Sequence, residues 1–185
     1  MEEKMKIQMI GTGSIGAKAF SSCTLIEDKI LVDLGNGNVK HMKELGIDPC
    51  TIPVVLITHL HGDHFADIPF FLFDKFFKNA NEKTVIYCPV GTMKKVEDLF
   101  HIIFPGDYEK VMAGANTQFI EFTELKDEEV VQGLFVTSYE VDHGNCKPAY
   151  RIYNFQARKN NPEFLETVSY AQILNKLWKR VMLLF

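Results

Sequence analysis

Residues 52–58 run almost without a polar interruption, through Val54, Val55, Leu56 and Ile57 to Thr58. A short apolar run of that kind predicts a strand covered on both faces. Around it the pattern alternates between the two periods. Residues 6–10 predict a first strand, and 23–27 and 30–32 predict a hairpin joined through Glu27, Asp28 and Lys29. Asn38 is placed to cap a helix over 39–45, with Gly46 closing it from the left-handed position. Residues 67–78 read as a helix whose crowded apolar face is core, with Pro69 tolerable in its first turn. A strand at 84–88, a helix opened by Gly91 and Thr92 and running to about 100, and strands at 117–124, 134–140 and 149–153 follow. Residues 154–162 are polar and loop-like. From 168 to 185 an apolar stripe of Ile173, Leu174, Leu177, Trp178, Val181 and Met182 predicts an amphipathic helix.

Gly11-Thr12-Gly13-Ser14-Ile15-Gly16 matches G-x-G-x-x-G letter for letter. In a dinucleotide-binding fold those glycines open a long helix, but the polar stretch Ser21, Ser22 arrives after four residues and leads into the next strand. The glycines therefore read as a turn between antiparallel strands.

The chemistry concentrates directly after the apolar run. In Thr58-His59-Leu60-His61-Gly62-Asp63-His64, three imidazoles and a carboxylate fall between positions 59 and 64. His59 and His61 alternate in an extended segment and so point the same way, which lets two imidazoles grip one ion. A turn at Gly62, with the backbone freedom glycine allows, would swing Asp63 and His64 towards a second ion. Imidazole plus carboxylate suits zinc, manganese or iron. His101, in an apolar setting, reads as a core or rim residue, and His41 as a helix-surface residue.

Composition narrows the class. With 185 residues, 46% of them hydrophobic and 15 of them phenylalanine, the chain is one domain's length with enough apolar surface for a substantial core. The first residues lack the apolar stretch of a secretion signal, so a cytoplasmic protein without membrane partners is expected. Cys23, Cys50, Cys88 and Cys146 form no C-x-x-C pair and read as reduced thiols. A net charge of −4 lowers the expectation of bulk electrostatic nucleic-acid binding.

His-x-His-x-Asp-His after a short apolar strand resembles the signature of the metallo-β-lactamase fold superfamily, and most of all its ribonuclease Z-like branch. The Gly-Thr-x-Ser/Gly loop after the first strand, the Asp33-Leu34-Gly35 segment, and His143 followed by Pro148-Ala149-Tyr150-Arg151-Ile152 extend the likeness over roughly residues 5–153. The resemblance implies an α/β class and the N-terminal half of an α/β/β/α sandwich plus a C-terminal helix, in a single domain 1–185 with a divergent tail at 154–185. It implies that His59, His61 and His143 hold one metal ion and that Asp63 and His64 hold a second, with two zinc ions in a complete site. Asp33 would lie beneath the ligands and orient a histidine. It further implies hydrolysis of a phosphodiester, RNA included, or of a small ester by a metal-bound hydroxide, with Asp63 as the proton acceptor.

Complete members of that family supply a bridging aspartate and a final histidine from their second half, whereas no aspartate or histidine follows His143 here. The chain is accordingly expected to be a truncated or frameshifted product with impaired activity, the competing expectation being a half-domain that completes its site as a homodimer through the 173–182 stripe. The alternative from another class is a non-catalytic metal-binding remnant or interaction module of the same fold.

Overall fold

The computed structural model describes residues 5–126, 128–131, 133–149, 154–158 and 165–169. β1 (Ile7–Gly11), β2 (Cys23–Ile26) and β3 (Ile30–Val32) form an antiparallel meander. β3 then pairs in parallel with β4 (Val54–Leu56), β4 with β5 (Thr84–Pro89), and β5 with β6 (Thr117–Phe122). The sheet order is therefore the chain order, β1 to β6. Parallel neighbours need crossovers, and helices supply them: α1 (Asn38–Glu44) between β3 and β4, the short α2 (Gly62–Phe65) and α3 (Ile68–Phe77) between β4 and β5, and α4 (Thr92–Ile103) and α5 (Tyr108–Gly114) between β5 and β6. A second, antiparallel sheet has the order β10-β9-β8-β7, from β7 (Glu128–Val131), β8 (Leu134–Thr137), β9 (Asn154–Arg158) and β10 (Leu165–Ser169).

The period of two sorts the first sheet's side chains into two cores. Leu31, Val55 and Ile86 face the helices, where they meet Val39, Phe71, Val96 and Phe100. Ile30, Val32, Val54, Leu56 and Tyr87 face the second sheet and meet Leu134 and Val136. Among the described residues the layers are thus helix, sheet, sheet, and both faces of β4 are buried, as its composition predicts.

Several elements depart from the sequence reading. The apolar run 52–58 is paired as a strand only over Val54–Leu56. Residues 154–162, expected as loop, contain β9. The helix expected from 168 is replaced at its start by β10, which pairs antiparallel with β9. β9 alternates polar and apolar residues, a period of two hidden by its polar composition, whereas Leu165–Ser169 shows no such alternation and is held as a strand by its pairing with β9. The rest of the expected helix, with its stripe from Ile173 to Met182, lies outside the described residues, as do 150–153 of the expected strand at 149–153. No helix among the described residues is long and apolar enough to cross a membrane. All four cysteines are unpaired.

The glycine loop behaves as a turn between β1 and β2. Gly13 N–H donates to the Phe20 carbonyl at 2.7 Å, and a Cβ at Gly11 or Gly13 would collide with the Ser21 or Ala19 carbonyl oxygen. Glycine is needed there for close backbone approach. The helix of a dinucleotide site does not follow it.

α3 buries an unexpected cation. Lys75 sits on the same helix face as Ile68, Phe71 and Leu72 and is 0% exposed. Its Nζ donates to the Glu82 carbonyl at 2.7 Å and lies 5.8 Å from the Phe71 ring centroid. Burial lowers its pKa from the ordinary 10.5. The unfolded chain thus binds this proton more readily, so the native state gains stability as pH rises towards 10.5. Lys75→Met is expected to stabilise the protein at neutral pH by about 1 kcal/mol, an advantage that shrinks in alkaline buffer. Urea denaturation of both proteins across that range checks it.

Candidate metal centre

The C-terminal ends of β3 and β4 lie side by side, because Val32 pairs with Leu56 in parallel register. The residues that follow them, Asp33 and Thr58, are thereby neighbours. Asp33 adopts a left-handed φ of 63°, and its backbone N–H donates to the Leu56 carbonyl at 2.8 Å. This brings its carboxylate beneath the motif. Oδ1 accepts from Thr58 N–H at 2.8 Å, while Oδ2 accepts from Thr58 Oγ1 at 2.9 Å and pairs with His64 Nδ1 at 2.8 Å. Asp33 therefore orients His64. Thr58 Oγ1 in turn lies 2.9 Å from His59 Nδ1, a contact the sequence reading did not identify.

His59, His61 and His143 each offer a ring nitrogen, and these atoms all lie within 4.8 Å of one another. His61 is extended (φ −81°, ψ 145°) and precedes α2. His143 arrives from a different part of the chain, in a turn closed by Cys146 N–H donating to its carbonyl at 3.2 Å, and β8 stops at Thr137, short of the strand expected over 134–140. The His59 and His64 rings are 4.0 Å apart between centroids, and His64 Nε2 lies 3.8 Å from Asp63 Oδ2. Asp63 and His64 thus form a pair beside the three-histidine group.

Gly62 does not swing them there by an unusual backbone. It opens α2 as an ordinary helical residue, and a Cβ on it would meet nothing within 4 Å. The close approach occurs instead at Gly35, whose missing side chain admits the Asp63 carbonyl oxygen and Ser21 Cβ. The Asp63 turn is further secured by Leu34 N–H donating to the His64 carbonyl at 2.7 Å. Asp67, buried at the end of this turn, accepts from Val39 N–H at 2.8 Å and so ties α1 to it. Burial raises the Asp67 pKa against that hydrogen bond.

The electrostatics favour a cation that is not a proton. His59 is only 9% exposed, and burial together with the imidazoles of His64, His143 and His61 lowers its pKa to about 3. It is neutral at pH 7, with a free lone pair. Its Nε2 is buried with no hydrogen-bond partner among the described residues, an arrangement that costs free energy unless something electrophilic meets it. For His64, burial favours the neutral ring but the Asp33 hydrogen bond and charge, with Asp63, outweigh it and raise the pKa. Three converging imidazole nitrogens, one of them buried and unpartnered, fit a zinc-type ion.

A second convergence, of Asp48, Cys50 and Asp74, fits a metal less well. Lys43 already donates to Asp74 at 2.7 Å and Lys78 to Asp48 at 3.0 Å. Burial and the Asp74 charge push the Cys50 thiol up to about 12, so an ion there would have to displace its proton as well as the two lysines. His101 is exposed on α4, 3.8 Å from Glu97, rather than in the core. Beside the His143 turn, Glu140, Val141, Asp142 and Lys147 line a cleft of about 250 Å³.

A family model described as anti-Pycsar protein Apyc1 matches residues 5–160. Ribonuclease Z of Enterococcus faecalis is 29% identical over 157 residues, which are 80% of this chain and 48% of that protein. The chain thus spans about half the length of this curated relative. Human tRNase Z, short form, superimposes with a TM-score of 0.62 at 17% identity, covering 88% of this chain and 67% of the human one. The metallo-β-lactamase fold protein YhfI of Bacillus subtilis gives 0.58 at 22% identity, covering 82% and 58%.

Proposed function

Since the chain belongs to the family described as anti-Pycsar protein Apyc1, and with its ribonuclease Z relatives to the metallo-β-lactamase fold, we propose that it is a metal-dependent hydrolase of phosphodiesters. The observation that carries this reading is the meeting of His59, His61 and His143 within 4.8 Å around a buried, unpartnered His59 Nε2. These three residues would hold one ion, and Asp63 with His64 a second. Zinc suits the donor set best, with manganese or iron as the other metals it accommodates. Bound metal supplies Lewis acidity and brings the pKa of a water close to neutrality.

The chain's own residues do the rest. Asp33 locks His64 from below, so that the ring's other nitrogen faces Asp63. Asp63, partly buried on the motif turn, is the carboxylate that accepts a proton on Oδ as the attacking water is consumed. The names of the relatives make RNA the first substrate to test, with smaller phosphodiesters and esters beside it. With only Asp63 and His64 assigned to it, a second ion would be held more weakly than the first. Turnover is therefore expected to rise as metal is added beyond one equivalent.

The test is hydrolysis of bis-p-nitrophenyl phosphate and of RNA by the full chain loaded with zinc or manganese. Phosphodiester turnover that EDTA abolishes and added metal restores is the expected outcome. A fully metal-loaded protein that turns over neither substrate would favour a non-catalytic metal-binding protein of the same fold.

A further inference from the structure

We infer that Thr58 is a positioning residue whose hydroxyl extends the hold of Asp33 to a second imidazole, so that one buried carboxylate sets the tautomer of both His59 and His64. The inference rests on the reading of His59 as a ligand, and its geometry is visible without any ion. An ionised carboxylate only accepts hydrogen bonds, and Thr58 Oγ1 lies 2.9 Å from Asp33 Oδ2. The single hydroxyl proton is therefore committed to Asp33. The same oxygen lies 2.9 Å from His59 Nδ1, and with its proton spent it can only accept there. His59 must then carry its ring proton on Nδ1, which leaves Nε2, the buried atom without a partner, as the bare donor.

His64 reaches the same state by a shorter path, because its Nδ1 pairs with Asp33 Oδ2 directly at 2.8 Å and its Nε2 faces Asp63. Asp33 Oδ2 thus serves two imidazoles, one of them through Thr58, while Oδ1 is spent on Thr58 N–H. A hydroxyl that merely satisfied a buried carboxylate would have no need to lie within hydrogen-bond reach of His59. Valine has the shape of threonine without the hydroxyl. In Thr58→Val, Asp33 keeps the backbone N–H and His64, whereas His59 Nδ1 loses the one acceptor it has among the described residues and the ring proton is free to move to Nε2, the atom an ion requires.

The experiment reads the ring nitrogens of the metal-free, 15N-histidine-labelled full chain by long-range 1H–15N correlation in mildly alkaline buffer, and zinc affinity by chelator competition. In the wild type, His59 and His64 are both expected to carry the proton on Nδ1. Thr58→Val should shift His59 alone, Asp33→Asn should shift both rings, and Thr58→Ser should restore the wild-type pattern. Zinc affinity should fall about 10- to 100-fold in Thr58→Val, the range for loss of an outer partner of a metal-bound histidine, and recover in Thr58→Ser. A wild-type His59 protonated on Nε2 overturns the assignment without recourse to any variant. So does a Thr58→Val protein whose His59 tautomer or zinc affinity is unchanged. A wild type that binds no zinc yet shows the Nδ1–H pattern on His59 would instead defeat the metal reading and leave the hydrogen-bond assignment standing.

Discussion

His59→Ala/His61→Ala should lose zinc affinity by more than the ~100-fold that removal of an outer partner costs, while the metal-free protein keeps its fold and its thermal midpoint. The two histidines supply two of the three nitrogens that converge within 4.8 Å, so His143 alone remains of the first ion's ligands. Stability should survive because both residues lie beyond the end of β4, outside the two apolar clusters. Removal of the His59 ring also relieves a free-energy cost, since its Nε2 is buried with no hydrogen-bond partner among the described residues and its pKa of about 3 reflects burial first and then the three neighbouring imidazoles. Equilibrium zinc titration with thermal unfolding of apo protein checks both halves.

Gly35→Ala is expected to be the most destabilising single methyl in the site, costing about 3 kcal/mol. A Cβ at position 35 would overlap the Asp63 carbonyl oxygen and stand 2.6 Å from Ser21 Cβ. Neither neighbour is the free end of a flexible side chain. The oxygen is backbone of the turn that carries Asp63 and His64, and Ser21 is fixed by its hydrogen bond to Asn36 Oδ1 at 2.8 Å. Relief therefore requires the motif turn to move away from β3, stretching the Leu34 N–H to His64 carbonyl bond and the Asp33 to His64 pairing together. Denaturant unfolding should show the loss, and the zinc titration should show weakened binding in the fraction that folds. Near-wild-type stability and affinity would mean that Gly35 is not the point of close approach.

The candidate metal site is legible in the sequence because residues of ligand type crowd into one turn directly after a buried strand, where His59, His61, Asp63 and His64 cannot easily be read as ordinary surface. His143 and Asp33 are legible only through family resemblance, since nothing local to either residue shows that the fold brings it to the motif. Parallel pairing of Val32 with Leu56 is what puts Asp33 under Thr58, and sequence spacing does not reveal strand register. Thr58 escapes notice for the same reason. Gly62 misleads because glycine beside a ligand suggests backbone freedom, whereas the steric demand falls at Gly35, 28 positions from Asp63 in the chain. Lys75 reads as a polar interruption of a helix's apolar face, and its burial becomes tolerable only because the Glu82 carbonyl returns to meet it. β9 is missed because its polar composition outweighs a short alternation, and β10, which has no alternation to read, is missed because strand pairing with β9 supplies what local propensity lacks.

An ion held by imidazoles beyond the end of β4 and in the His143 turn is tested most directly by zinc K-edge X-ray absorption on the full chain loaded with one equivalent of zinc. The predicted spectrum has nitrogen or oxygen neighbours at about 2.0–2.1 Å and no sulfur, with the outer-shell scattering of about three imidazoles, matching His59, His61 and His143. A sulfur neighbour at about 2.3 Å would place the ion at Cys50 between Asp48 and Asp74 instead, and that result, or a protein that retains no zinc, would contradict the account.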